Sequence, residues 1–134
     1  MNLEYEFRYD DGPSVSFLVV GTESGLAMQA DALIDTGADV TVLDSEIAKE
    51  IGLDLEALPQ VGFRGVTGGS VPARIGEIEL LLLSKPELST IVDVLFVDDF
   101  SHVVGNLIGL DILSRFDIAL SHNQRLGYIG RVEL

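Results

Sequence analysis

Polar and apolar residues alternate from the start of the chain. Leu3, Tyr5, Phe7 and Tyr9 interleave with Glu4, Glu6 and Arg8. A period of two is what a half-buried strand shows, because successive side chains point to opposite faces. Asp10-Asp11-Gly12-Pro13 interrupts the pattern as a turn, and Val15, Phe17 and Val19 resume it, so residues 1–20 are expected to form an N-terminal hairpin. Residues 21–25 read as a second turn, residues 26–34 as a strand and residues 41–43 as a short one. Asp44 or Ser45 then suits an N-cap, Ile47, Ala48 and Ile51 have helical spacing, and Gly52 suits a stop. Residues 62–66 and 71–75 flank Thr67-Gly68-Gly69-Ser70, which predicts a hairpin tip. Residues 77–83 and 90–97 read as strands joined by a loop at Pro86. Leu107-Ile108-Gly109 is an apolar pair ending in glycine, residues 110–116 are a short helix candidate, and residues 118–120 and 126–129 close as strands around Ser121-His122-Asn123-Gln124. Many short strands, frequent turns and two brief helices predict a mainly β fold, a barrel or sandwich.

Composition narrows the picture. The chain has 134 residues, 47% of them hydrophobic and 22% charged, which suits one folded domain spanning residues 1–134. It contains no cysteine, so disulfides, thiol catalysis and cysteine metal sites are out, and a reducing compartment, the cytoplasm, is the expected location. Met1 leads into Asn2, Glu4 and Glu6, and no secretory leader is expected there. The longest apolar run, residues 78–83, is broken by Glu79 and too short to span a bilayer. Eight Lys and Arg against 22 Asp and Glu give a net charge of −14. Phosphate backbones and anionic membranes are repelled by such a surface, so neither nucleic acid nor membrane is an expected partner.

The chemistry concentrates in one place. Ala32, Leu33 and Ile34 run into Asp35-Thr36-Gly37, and Val40, Val42 and Leu43 return to apolar character. A carboxylate is thereby set at the end of a buried strand, on a turn whose N–H groups can bond it. The motif occurs once. A weak self-similarity accompanies it: Leu33-Ile34 and Leu107-Ile108 both run into a turn. Side by side, they would set Asp35 next to Gly109, where the absent side chain permits close backbone approach.

These residues resemble the retropepsin-like, or retroviral-type, aspartic protease family. Residues 33–39 resemble its active-site strand and turn, the hairpin at Thr67-Gly68-Gly69-Ser70 its flap, and Asn106-Leu107-Ile108-Gly109 with the following helix its second signature. The similarity runs over residues 26–129. Leu110-Asp111 stands where viral members carry Arg-Asn, which resembles the cellular, non-viral branch and removes the arginine that pairs with the acid matching Asp39. The resemblance implies a closed, acid-protease-like β barrel with a flap hairpin and an aspartic endopeptidase without cofactor or metal. It assigns catalysis to Asp35, Thr36 and Gly37, and substrate binding to Ala38, Asp39, Val66, Thr67, Gly68, Gly69 and Ser70. Since the chemistry needs two carboxylates and the chain has one Asp-Thr-Gly, the expected partners are a second copy of the chain and a protein or peptide substrate. The alternative is a non-catalytic dimerisation or peptide-binding module on the same fold.

Other candidates have plainer readings. Asp111 reads as a cap or loop bond, and Asp10-Asp11 and Asp98-Asp99 as solvated loop charges. His102 and His122 are isolated, with no metal-ligand spacing. Arg64 and Arg74 read as exposed strand charges.

Overall fold

The computed structural model describes residues 5–10, 12–64, 70–82, 85–98 and 105–131. In chain order they form β1 (Tyr5–Arg8), β2 (Ser14–Gly21), β3 (Ala27–Ile34), β4 (Val42–Asp44), α1 (Ser45–Glu50) and a single 3-10 turn (Leu55–Ala57). There follow β5 (Gln60–Arg64), β6 (Ser70–Leu82), β7 (Lys85–Val97), β8 (Leu107–Ile108), α2 (Leu110–Leu113), β9 (Phe116–Ser121) and β10 (Leu126–Arg131). The fold is mainly β, as the pattern predicts. The larger sheet runs β2-β3-β8-β4-β7-β6-β5, and a further pairing of β2 with β6 closes six of these strands into a ring. A second sheet runs β1-β10-β9.

Alternation translates directly into burial. Along β2, Val15, Phe17 and Val19 point inward and are at most 2% exposed. They meet Leu80, Leu82, Phe96, Ile34 and Ile108 in one continuous core. Each large apolar side chain fully buried in this way contributes about 1.5–3 kcal/mol relative to an exposed one. Asp44 caps α1 by accepting from the Glu46 N–H at 3.0 Å. Ile47 and Ala48 turn the inner face of that helix to the core, and Gly52, at φ +80°, ends it. On the outer face Lys49 donates to Glu46 at 2.9 Å, which raises the lysine pKa above its ordinary value.

Four expectations need correction. The N-terminal hairpin over residues 1–20 does not form: β1 pairs with β10, and β2 pairs with β3 and β6. Alternation tells which face of a strand is buried, not which strand lies beside it. Here Phe7 pairs across from Gly127, and a Cβ on that glycine would lie 2.1 Å from the Phe7 ring, so only glycine leaves room for it. Pro13 has no N–H to extend a β1–β2 ladder, and its carbonyl accepts from Ile34 at 2.7 Å instead. The strands expected at 71–75 and 77–83 are one strand, β6. Gly76 does not break it but makes room for Phe96, whose Cε2 would be 2.9 Å from an added Cβ. Pro86 lies inside β7 rather than in a loop, next to a register shift at Leu81/Leu82 where a ladder tolerates a missing donor. Finally, α2 stops at Leu113, and Phe116 already belongs to β9, where it packs on the core.

Candidate active site

Asp35 follows β3. The parallel ladder between β3 and β8 sets Leu33 against Leu107 and Ile34 against Ile108, so the two similar apolar pairs lie side by side in register. The Asp35 N–H donates to the Ile108 carbonyl at 3.0 Å, carrying the pairing one residue into the turn. Asp35 is half-buried, and its Oδ1 accepts from the Gly37 N–H at 2.9 Å. The Ala38 N–H donates to the Asp35 carbonyl at 3.2 Å, closing the turn. Thr36, Gly37 and Asp39 are exposed and Ala38 is half-buried. Val40 and Leu110, large apolar residues beside them, are also exposed, by 36% and 42%.

The second apolar pair ends in Gly109, which is buried beneath the turn. A Cβ there would lie 2.6 Å from both the carbonyl carbon and oxygen of Val40 and 2.9 Å from the Ala38 oxygen. The close approach expected of this glycine is therefore present, and it is to the turn itself. Beyond it the Leu110 N–H donates to the Ala38 carbonyl at 2.8 Å and the Asp111 N–H to the Asp39 carbonyl at 3.2 Å. Asn106 braces the same region from outside, accepting from the Asp44 N–H at 2.9 Å and donating to the Asp31 carbonyl at 3.2 Å.

Of the expected site residues, Asp35 to Asp39 thus form one turn. β5 and β6 pair antiparallel up to Arg64 and Ser70, as the two arms of a hairpin. Of the expected tip, Thr67, Gly68 and Gly69 lie outside the described residues, as does Val66 before it, and Ser70 is the first residue of β6. The plainer readings fare unevenly. Asp98 accepts a hydrogen bond from Ser45 Oγ. His122 stacks on Tyr9 with ring centroids 6.0 Å apart. Arg74 is not an exposed charge: its side chain is 28% exposed and donates to the Leu58 carbonyl at 2.9 Å, holding the 3-10 turn to the base of the β5–β6 hairpin. The residue that sequence reasoning passed over is Thr41, fully buried between apolar neighbours. A lone hydroxyl residue inside an apolar run was the available signal, since a buried hydroxyl needs partners.

A cavity of about 530 Å³ lies between β1 and the start of β2, lined in part by Tyr9, Asp10, Ser14 and Asp31, and does not reach Asp35. Among the described residues no group of three or more His, Asp or Glu side chains is placed to hold a metal ion, and no helix is long and apolar enough to cross a membrane.

The acid turn is thus seated on two paired apolar strands in a mainly β chain. The chain belongs to the family described as "gag-polyprotein putative aspartyl protease", which matches residues 27–115. No curated protein matches it. Among solved structures it is similar to a retropepsin-like aspartic protease from Rickettsia conorii, with 16% identity and a TM-score of 0.57 over 92% of this chain and 100% of the other. It is also similar to EIAV protease complexed with the inhibitor HBY-793, with 18% identity and a TM-score of 0.55 over 81% of this chain and 90% of the other. At these identities the likeness establishes a shared, retropepsin-like fold.

Proposed function

We propose that the chain is an aspartic endopeptidase that cleaves peptide bonds as a homodimer, with Asp35 of each copy supplying half of the catalytic dyad. The observation that carries this reading is the in-register β3–β8 pair, which leads into the single Asp-Thr-Gly turn with Asp35 half-buried and Thr36 and Gly37 exposed. Two carboxylates about 3 Å apart cannot both ionise, so such a dyad shares a proton and titrates in two separated steps. The ionised member takes a proton from a water molecule, and the protonated member polarises the scissile carbonyl. Thr36 bonds across the two-fold axis and fixes the two turns. Gly37 offers backbone to the substrate, with Ala38 and Asp39 beside it. Residues 66–70 cover the bound peptide and exclude water. Exposed Val40 and Leu110 provide apolar surface next to the turn for a second copy or a peptide to bury. The cysteine-free composition supports a cytoplasmic setting for this activity.

Asp35→Asn tests the reading. Cleavage of a fluorogenic peptide library by the parent chain should show a bell-shaped pH profile, and the variant should lose at least about 10²–10⁴-fold in rate. Sedimentation should show it still dimeric. Undiminished cleavage in the variant removes Asp35 from the mechanism. Peptide binding without cleavage, surviving the substitution, would instead make the chain a binding module.

A further inference from the structure

We propose that Thr41 and Asp111 are positioning residues for the Asp35 turn, a hydroxyl–carboxylate clamp that holds the far end of the turn against the second apolar strand. The inference deepens the protease reading and rests on it for its kinetic arm alone.

The two backbone ends of the clamp are far apart in sequence and locked together in space. Asp111 Oδ2 accepts from the Thr41 N–H at 3.0 Å, and Asp111 Oδ1 accepts from Thr41 Oγ1 at 2.8 Å and from its neighbour Ile112 N–H at 2.8 Å. The Thr41 hydroxyl in turn accepts from the Gly109 N–H at 3.1 Å. A hydroxyl has one proton. With that proton committed to Asp111, a lone pair is left facing Gly109, so the order Gly109 N–H, Thr41 O–H, Asp111 carboxylate is the one that satisfies all three. Thr41 is 0% exposed, so water does not replace any of these partners. The Thr41 carbonyl accepts from the Leu95 N–H at 3.1 Å, which anchors the same residue to β7.

The turn is therefore held at both ends. At its start the Asp35 N–H bonds Ile108, and at its finish Thr41 bonds Asp111 and Gly109. Between these points Ala38 and Asp39 bond the backbone of Leu110 and Asp111. The side-chain partners of Asp111 are Thr41 and Ile112, and that of Asp35 is Gly37, so Asp111 acts by fixing where the turn ends. Both oxygens of the Asp111 carboxylate accept. A leucine of similar size would leave the Thr41 N–H and hydroxyl proton with no acceptor there.

The test compares Thr41→Val, Thr41→Ser and Asp111→Leu with the parent homodimer by steady-state peptide cleavage and by amide hydrogen exchange. Thr41→Val and Asp111→Leu should lower kcat on the order of 10- to 100-fold with KM nearly unchanged, because a misplaced carboxylate loses transition-state stabilisation rather than binding. In both, exchange at the amides of Asp35, Ala38, Leu110 and residue 111 should quicken about tenfold or more while the β2–β3 ladder stays protected. Thr41→Ser keeps the hydroxyl and should restore both readouts. If Thr41→Val fails to fold, Asp111→Leu, at a half-buried position, carries both measurements. Unchanged exchange in the turn, exchange that rises uniformly over the chain, or an unchanged kcat per folded dimer overturns the clamp. A parent chain that cleaves nothing refutes the protease reading, and exchange alone then decides whether the clamp orders the turn.

Discussion

Replacing Gly109 with alanine isolates a steric effect at the heart of the site. The residue has φ −99° and ψ −174°, extended backbone that any residue adopts, so the added methyl brings no conformational strain of its own. Its difficulty is space. The methyl would stand 2.6 Å from the Val40 carbonyl carbon and oxygen and 2.9 Å from the Ala38 oxygen. Carbon atoms rest at about 3.5–4.0 Å, so relief needs a shift of about 1 Å. The obstructing atoms are backbone, and the segment they belong to is the Asp35 turn, pinned by its bonds to Leu110 and Asp111. Overpacking of this kind costs about 1–3 kcal/mol, and an unyielding backbone sets it near the upper end. The smaller freedom of alanine in the unfolded chain returns about 0.4–1 kcal/mol. A net loss of about 1–2.5 kcal/mol corresponds to a fall in Tm of roughly 4–10 °C for a chain of this size. A turn displaced by about 1 Å should also lose about 100-fold in cleavage rate per folded molecule. Thermal unfolding by circular dichroism and peptide cleavage measure the two effects. Gly25→Ala is the control, since its φ of +72° brings strain but nothing lies within 4 Å of the added carbon. It should lower Tm and leave kcat intact. A Gly109→Ala protein that melts within about 1 °C of the parent refutes the close approach and with it the placement of the turn over β8.

Two further outcomes are expected. The proposed dimer brings two copies of −14 together against charge repulsion; because the screening length falls from about 10 Å at 0.1 M salt to about 3 Å at 1 M, it should tighten as salt rises. A dissociation constant from sedimentation that weakens with salt contradicts this. Asp44→Ala removes the α1 cap and should cost about 0.5–2 kcal/mol in urea unfolding, whereas an unmoved midpoint would mean that the helix is held by Ile47 and Ala48 alone.

The site was legible in sequence to the extent that its parts are local. The Asp-Thr-Gly turn, the second apolar pair and its glycine are short motifs, and their likeness to each other pointed to the side-by-side pairing that β3 and β8 adopt. The two helices were found from spacing and caps, although α2 proved shorter. Thr41 is not singled out by its sequence, and Asp111 reads as a cap or loop bond without a named partner, because their contact spans 70 positions and neither residue's neighbours announce it. The N-terminal strand was found but given the wrong partner for the same reason: Phe7 and Gly127 fit each other only once the chain has brought its ends together.

By itself, then, the order of residues determined which segments are strands, which faces they bury and that there is one acid turn per chain. Those properties follow from periodicity, turn chemistry and a count, all of which act over a few bonds. Tertiary structure alone decided how the strands close into a ring and that Gly109 presses against the turn. It also brought together a threonine and an aspartate 70 positions apart, bonded to each other where that turn ends. Such contacts depend on which surfaces meet, and a single strand's pattern leaves several partners equally able to cover it until packing without voids selects one.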